Sequence, residues 1–159
     1  MAPKKAPEPE PEPEAEEAPP EPEEGDGTFY FGDGSKYEGH WMIKDGVKMR
    51  HGKGMFVEGV EEGSTPQSYE GEWSEDAMNG YGIFRYATNA KYEGEFVNNQ
   101  YSGHGTYTFP DGSTYEGAFK EGQMHGAGCF TDKQGVSWKG KFYNGMGPGL
   151  PTDATFLAA

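Results

Sequence analysis

The sequence predicts an all-β protein: an antiparallel meander of about ten short strands behind a disordered N-terminal tail. Three observations carry that expectation. Rings and glycines alternate with polar residues at period two over most of the chain. One phrase returns every 23 residues, and a period of that size marks a stacked array. No segment shows a helical hydrophobic period.

The tail comes first. Residues 1–24, MAPKKAPEPEPEPEAEEAPPEPEE, hold eight of the twelve prolines and nine glutamates, and no ring. Such a segment buries too little surface to offset the entropy of ordering. It reads as an extended, polyproline-like, self-repelling acidic arm. The simpler role is solubilising; the sharper one is binding a basic partner surface.

The array follows, over residues 25–147, with a C-terminal tail at 148–159. Tyr69, Tyr92, Tyr115 and Trp138 stand 23 residues apart. Each is followed two positions on by glycine and four positions on by a ring: Trp73, Phe96, Phe119 and Phe142. A Gly-x-Gly comes next, as in Gly103–Gly105, then another ring, as at Tyr107. An earlier copy starts at Tyr37, with Gly39, Trp41, Gly52 and Gly54. Its internal turn is expected to be four residues longer, and its link to Tyr69 five longer, which accounts for a spacing of 32. Residues 25–36 form a half-unit that resembles Gly103 to Thr114, and the copy at Trp138 is partial.

Each unit reads as two strands. Tyr92, Gly94 and Phe96 alternate with Glu93 and Glu95, and Gly103, Gly105 and Tyr107 with His104 and Thr106. VNNQYS and PDGS are the connections, and Asp-Gly is a hairpin signal. The apolar stock explains the glycines. Two Leu, two Ile and five Val stand against ten Phe, ten Tyr and three Trp. A glycine lets a neighbouring ring lie over bare backbone, so a thin sheet gains a core without aliphatics. The opposite face carries Glu38, Glu70, Glu72, Glu93, Glu95 and Glu116, then Lys139 and Lys141. It reads as solvated, with a sign change that favours end-to-end contacts between copies. The open edge strands offer a second route to association.

The composition also excludes. A net charge of −14 argues against a nucleic-acid partner and makes a membrane partner unlikely on charge alone. Cys129 is alone, which rules out an intrachain disulfide and fits a reducing compartment. No run approaches the ~20 apolar residues of a membrane helix. His51 and His125 share an offset with Asn79 and Ser102, so they read as polar turn residues rather than metal ligands. Asp33 and Asp111 sit in DGS phrases without the acidic run and closing Glu of a calcium loop. No constellation supports a catalytic residue, a metal or a cofactor, and no enzyme activity is expected. What remains is a ring-rich face suited to a peptide or helix. The candidate anchors are Tyr37, Trp41, Tyr69, Trp73, Tyr92, Phe96, Tyr115, Phe119, Trp138 and Phe142.

Tyr-Glu-Gly-x-Phe/Trp followed by Gly-x-Gly at this period resembles the MORN (membrane occupation and recognition nexus) repeat. The resemblance covers roughly residues 25–145. It implies a single-layer twisted antiparallel meander of MORN β-hairpin repeats. The small size and the stretch from Thr131 to Gly145 look like the short, repeat-only members associated with cilia and flagella. That implies a non-enzymatic cytoplasmic scaffold in the axoneme, within a radial-spoke-like assembly of cytoskeletal partners. The family's name implies an alternative, an adaptor for phospholipid head groups.

Overall fold

A computed structural model of the chain describes residues 23–150. Most of the N-terminal arm and most of the C-terminal tail expected from the sequence lie outside the described residues. Ten strands follow one another: β1 (Glu24–Tyr30), β2 (Lys36–Lys44), β3 (Val47–Val57), β4 (Ser68–Ser74), β5 (Ala77–Arg85), β6 (Lys91–Val97), β7 (Gln100–Thr108), β8 (Thr114–Lys120), β9 (Gln123–Thr131) and β10 (Ser137–Phe142). Each pairs with its sequence neighbours, so the sheet order is β1 to β10 and the topology is an open antiparallel meander. No helix occurs among the described residues.

One row of glycines crosses all ten strands. In register stand Gly27, Gly39, Gly54, Gly71, Gly82, Gly94, Gly105, Gly117, Gly128 and Gly140. Two close approaches make the side chains impossible. A Cβ on Gly105 would stand 2.6 Å from the Tyr92 hydroxyl oxygen, and one on Gly94 would stand 2.5 Å from the Cα of Gly105. The ring of the repeat's first tyrosine occupies the space that the glycines vacate. Its hydroxyl donates to a backbone carbonyl three residues on: Tyr69 to Glu72 and Tyr92 to Glu95, each at 2.9 Å, with Tyr37 and Tyr115 alike.

The first glycine of Gly-x-Gly has a different task. The register slips inside every full hairpin, between Gly94 and Glu95 for β6–β7 and at equivalent places in the other three. Gly103 lies in that irregularity with φ +57°, a left-handed conformation that costs a residue with a Cβ about 1 kcal/mol or more. Two left-handed residues close each of these hairpins: Asp45–Gly46, Glu75–Asp76, Asn98–Asn99 and Glu121–Gly122. This is the type I′ signature, whose twist matches that of the strands. The second turn residue also donates its N–H to the preceding unit, Asn99 to the Met78 carbonyl and Gly122 to the Tyr101 carbonyl, each at 3.0 Å.

Two expectations need correction. The four extra residues of the first unit do not lengthen its turn, which remains Asp45–Gly46. They extend the strands to 9 and 11 residues, against 7 and 9 in β6 and β7. His51 and His125 lie within β3 and β9 rather than in turns. At the array's boundaries, Glu24 already pairs with Met42 as part of β1. Past residue 147, Pro148 lies against Gly140, Gly149 over the Trp138 ring, and Leu150 on the core cluster.

Candidate functional site

The site begins with how the rings pack. The rings of the ladder stand on one face, where the tyrosines alternate with the rings four positions on; Tyr81 stands on the opposite face, its hydroxyl donating to the Glu93 carboxylate at 3.2 Å. Trp73 meets Tyr37 and Tyr69 edge-on at 5.6 and 5.0 Å. Phe96 meets Tyr69 and Tyr92 at 5.0 and 5.1 Å. Phe119 meets Tyr92 and Tyr115 at 4.9 and 5.2 Å, and Phe142 meets Tyr115 at 4.7 Å. Trp73, Phe96 and Phe119 thus each sit between their own tyrosine and the one before it, and Phe142 lies against the one before it, in the edge-to-face geometry that ring quadrupoles favour.

This ladder sorts the candidate anchors. Tyr37, Tyr69, Trp73, Tyr92, Phe96, Tyr115, Phe119 and Phe142 are at most 5% exposed and form the core. Trp41 and Trp138 are half-buried. Trp41 has no upstream tyrosine of the ladder to close over it, and its ring neighbour among the described residues is Phe29, at 6.5 Å. Trp138 stands at the other end, stacked 6.0 Å from Phe130.

Nine positions after each starting tyrosine lies a residue overlooked in the sequence reading. Met78, Tyr101 and Met124 pair directly with Trp73, Phe96 and Phe119. Tyr101 and Met124 are buried, and Met78 packs against the cluster. Tyr101 stacks on Tyr92 at 3.7 Å, and its hydroxyl meets that of Tyr86. In the first unit the residue paired with Trp41 is Arg50. Its guanidinium lies 4.2 Å from the Trp73 ring and is tied to Asp76 at 3.0 Å. A charged group therefore caps the ladder where the other units place an apolar one.

The result is an open groove of about 480 Å³ at the N-terminal end of the ring face. Phe29, Phe31, Trp41 and Phe56 line it, each half-buried or exposed. Lys48 spans its wall, with the ammonium 3.8 Å from the Trp41 ring and 5.2 Å from Phe29. No carboxylate pairs with Lys48 among the described residues. The Asp33 carboxylate on the rim accepts from the Ser35 hydroxyl and N–H at 2.7 and 2.9 Å, and these bonds hold its pKa below the ordinary value. Asp111 and Ser113 repeat the arrangement. The DGS phrases are thus turns closed by their own aspartate.

Elsewhere the ring face is a packed core. Burial pushes the Tyr37, Tyr107 and Tyr115 hydroxyls up to about 12 and raises those of Tyr69, Tyr92 and Tyr101 as well. The opposite face is polar. Glu38, Glu70 and Glu93 are bridged there by Lys36, Arg85 and Lys91 at 2.7, 3.5 and 3.1 Å. Among the described residues no group of three or more His, Cys, Asp or Glu is placed to hold a metal ion. No helix there is long and apolar enough to cross a membrane.

Comparison with known families matches the MORN repeat three times, at residues 69–91, 92–114 and 115–136. The unit at Tyr37, with its lengthened strands, and the partial unit at Trp138 fall outside the match. No curated protein matches the chain. Repeats of this kind generally mediate protein or membrane interactions and are typically non-enzymatic.

Proposed function

This chain is a MORN-repeat protein, and on that premise we propose that it is a non-enzymatic scaffold whose groove at Trp41 docks a peptide or helix of a partner protein. The observation that carries the reading is the incomplete ring ladder. All eight interior anchors have spent their surface on one another, whereas Trp41, Phe29, Phe31 and Phe56 keep part of theirs open on the sheet. Exposed rings at a concave site supply large contact area at low entropic cost. We assign the chain to the ciliary or flagellar axoneme, in a radial-spoke-like assembly. That assignment rests on the likeness of its repeats, with the stretch from Thr131 to Gly145, to those of cilium-associated members of the family.

The test is carried out in ciliated cells with the tagged full chain. The expected result is that the chain stays with the microtubule doublets after detergent extraction. The variant Phe31→Ala/Trp41→Ala, folded by circular dichroism, is lost from them. Retention of the variant would remove the groove from the function. Co-flotation of the purified chain with anionic phospholipid vesicles, together with absence from the axoneme, would favour the head-group adaptor instead. The net charge of −14 opposes that outcome.

A further inference from the structure

The two ends of the array are finished differently, and the N-terminal one is complementary to itself. We propose that two copies of the chain pair β1 against β1, antiparallel about a two-fold axis at Gly27, and so join two ten-stranded sheets end to end. The proposal goes beyond the docking reading and does not rest on it, because it concerns the edge of the sheet rather than a partner held on its ring face.

The backbone of the edge comes first. β1 is a terminal strand, paired with β2 on one side. The Glu23 carbonyl accepts from the Ile43 N–H at 2.6 Å, and the Phe31 N–H donates to the Ser35 carbonyl at 2.9 Å. Backbone direction alternates along an antiparallel strand, so the odd-numbered residues turn their groups to β2. Glu24, Asp26, Thr28 and Tyr30 turn theirs to the open side, a template for another strand. With Gly27 opposite its own copy, these four fall into hydrogen-bonding pairs, Glu24 with Tyr30 and Asp26 with Thr28 of the second copy. All seven residues of β1 then pair, and the glycine row runs on through the axis.

The rings fit the same register. It sets Phe29 opposite Gly25 of the second copy, in a non-hydrogen-bonded pair, where side chains approach most closely. Gly25 is bare, and the Trp41 ring lies over it: a Cβ there would stand 3.2 Å from the indole. Phe29 therefore meets the second copy's Trp41 and supplies the further ring neighbour that Trp73, Phe96 and Phe119 each have. The two-fold axis makes the contact twice. Charge selects among registers. Here Glu24 faces Tyr30 and Asp26 faces Thr28, and each carboxylate has His40 of its own copy near it, at 3.7 and 3.3 Å. Centring the axis on Asp26 would instead set that carboxylate against its copy, which is destabilising. The other end of the array has a cover of its own. Pro148 lies against Gly140, Gly149 over the Trp138 ring and Leu150 on the core cluster. β1 has no such cover among the described residues, so association stops at two copies instead of continuing into a filament.

The experiment is sedimentation equilibrium of the full chain over about 1–300 μM. One strand pair with two rings from each copy is a small interface, so the dimer should form in the upper part of that range. Added salt should strengthen it by screening the net charge of −14 on each copy. Thr28→Pro removes an outward N–H and leaves the bonds to β2 in place; the dissociation constant should rise roughly tenfold or more, with the circular dichroism unchanged. Lys139→Pro is the matching change on β10, where the Asp132 N–H donates to the Val136 carbonyl and the alternation turns Lys139 outward. It should leave the dimer unaffected. In a Cys129→Ser background, Gly27→Cys should form a disulfide-linked dimer on mild oxidation; its Cβ meets the Phe29 ring at 3.2 Å, which a small rotation of that ring relieves. Glu24→Cys, whose copies stand about 20 Å apart in this register, should not link. A monomer at every concentration would overturn the proposal. So would a dimer indifferent to Thr28→Pro, one weakened equally by Lys139→Pro, or linkage through Glu24→Cys as rapid as through Gly27→Cys. None of these outcomes bears on docking, which is read from retention on the microtubule doublets.

Discussion

At the scale of single residues, the tyrosine that opens each unit does two jobs. Its ring covers the glycine row, and its hydroxyl satisfies a carbonyl freed where the register slips. Tyr92→Phe keeps the ring and removes the donor to Glu95. A part-buried carbonyl left unpaired costs about 1–2 kcal/mol, so the unfolding free energy in urea should fall by that amount, through a lower midpoint with m unchanged. An unaltered midpoint would mean that water serves the carbonyl equally well. Burial of the same hydroxyls sets a limit at high pH. Below about 10 the tyrosines are protonated in both folded and unfolded chains. Above it the unfolded chain releases protons that Tyr37, Tyr107 and Tyr115 retain up to about 12. Stability is therefore complete below pH ~10 and is lost as pH rises toward 12. Circular dichroism and the ionisation of these three buried hydroxyls, followed residue by residue by NMR, should change together in that window. Ionisation of Tyr37, Tyr107 or Tyr115 near pH 10 in a chain that remains folded would contradict the burial.

At the scale of elements, the hairpins differ in what they place beside the ring four positions on. Met78, Tyr101 and Met124 fill that place, and Arg50 stands there in the first unit. Arg50→Met should close the ladder in the manner of the other units. It trades an exposed ion pair with Asp76 for apolar packing, so the thermal midpoint should correspond to a change within about 1 kcal/mol. Partner docking should weaken. A large loss of stability would show that the guanidinium over Trp73 is structural. The turns are a separate element. Asn98→Val puts a β-branched residue at φ +47°, which should cost about 1–2 kcal/mol in the same assay. The period-two alternation made the strands and the ring face legible in the sequence. Tyr101 was overlooked because the stretch around Asn98–Asn99 read as a loop. The turn takes only those two residues, and Tyr101 continues the alternation of Gly103, Gly105 and Tyr107. The lengthened strands of β2 and β3 were illegible for a related reason: extra residues in a hairpin can enter the turn or the ladder, and only the pairing of Ile43 with Lys48 decides.

At the scale of the whole molecule, the sheet is a linear array in which each unit contacts only its neighbours, so stability should add along the chain. Removing residues 92–114 joins Lys91 to Tyr115 in the same phase and should yield a folded sheet two strands shorter, with a smaller m-value and lower stability. The groove could not be read from the sequence, because every unit there carries the same rings. It arises from position: the ladder closes each ring with the tyrosine before it, and Trp41 has none. The central claim is that the protein coheres through rings resting on bare backbone. The most direct test compares Gly105→Ala with Gly32→Ala in urea denaturation. A Cβ on Gly105 would press on a Tyr92 ring already backed by Tyr101, whereas one on Gly32 meets nothing within 4 Å. Gly105→Ala should lose about 1–3 kcal/mol and Gly32→Ala less than about 0.5 kcal/mol. Equal midpoints for the two variants would contradict the claim.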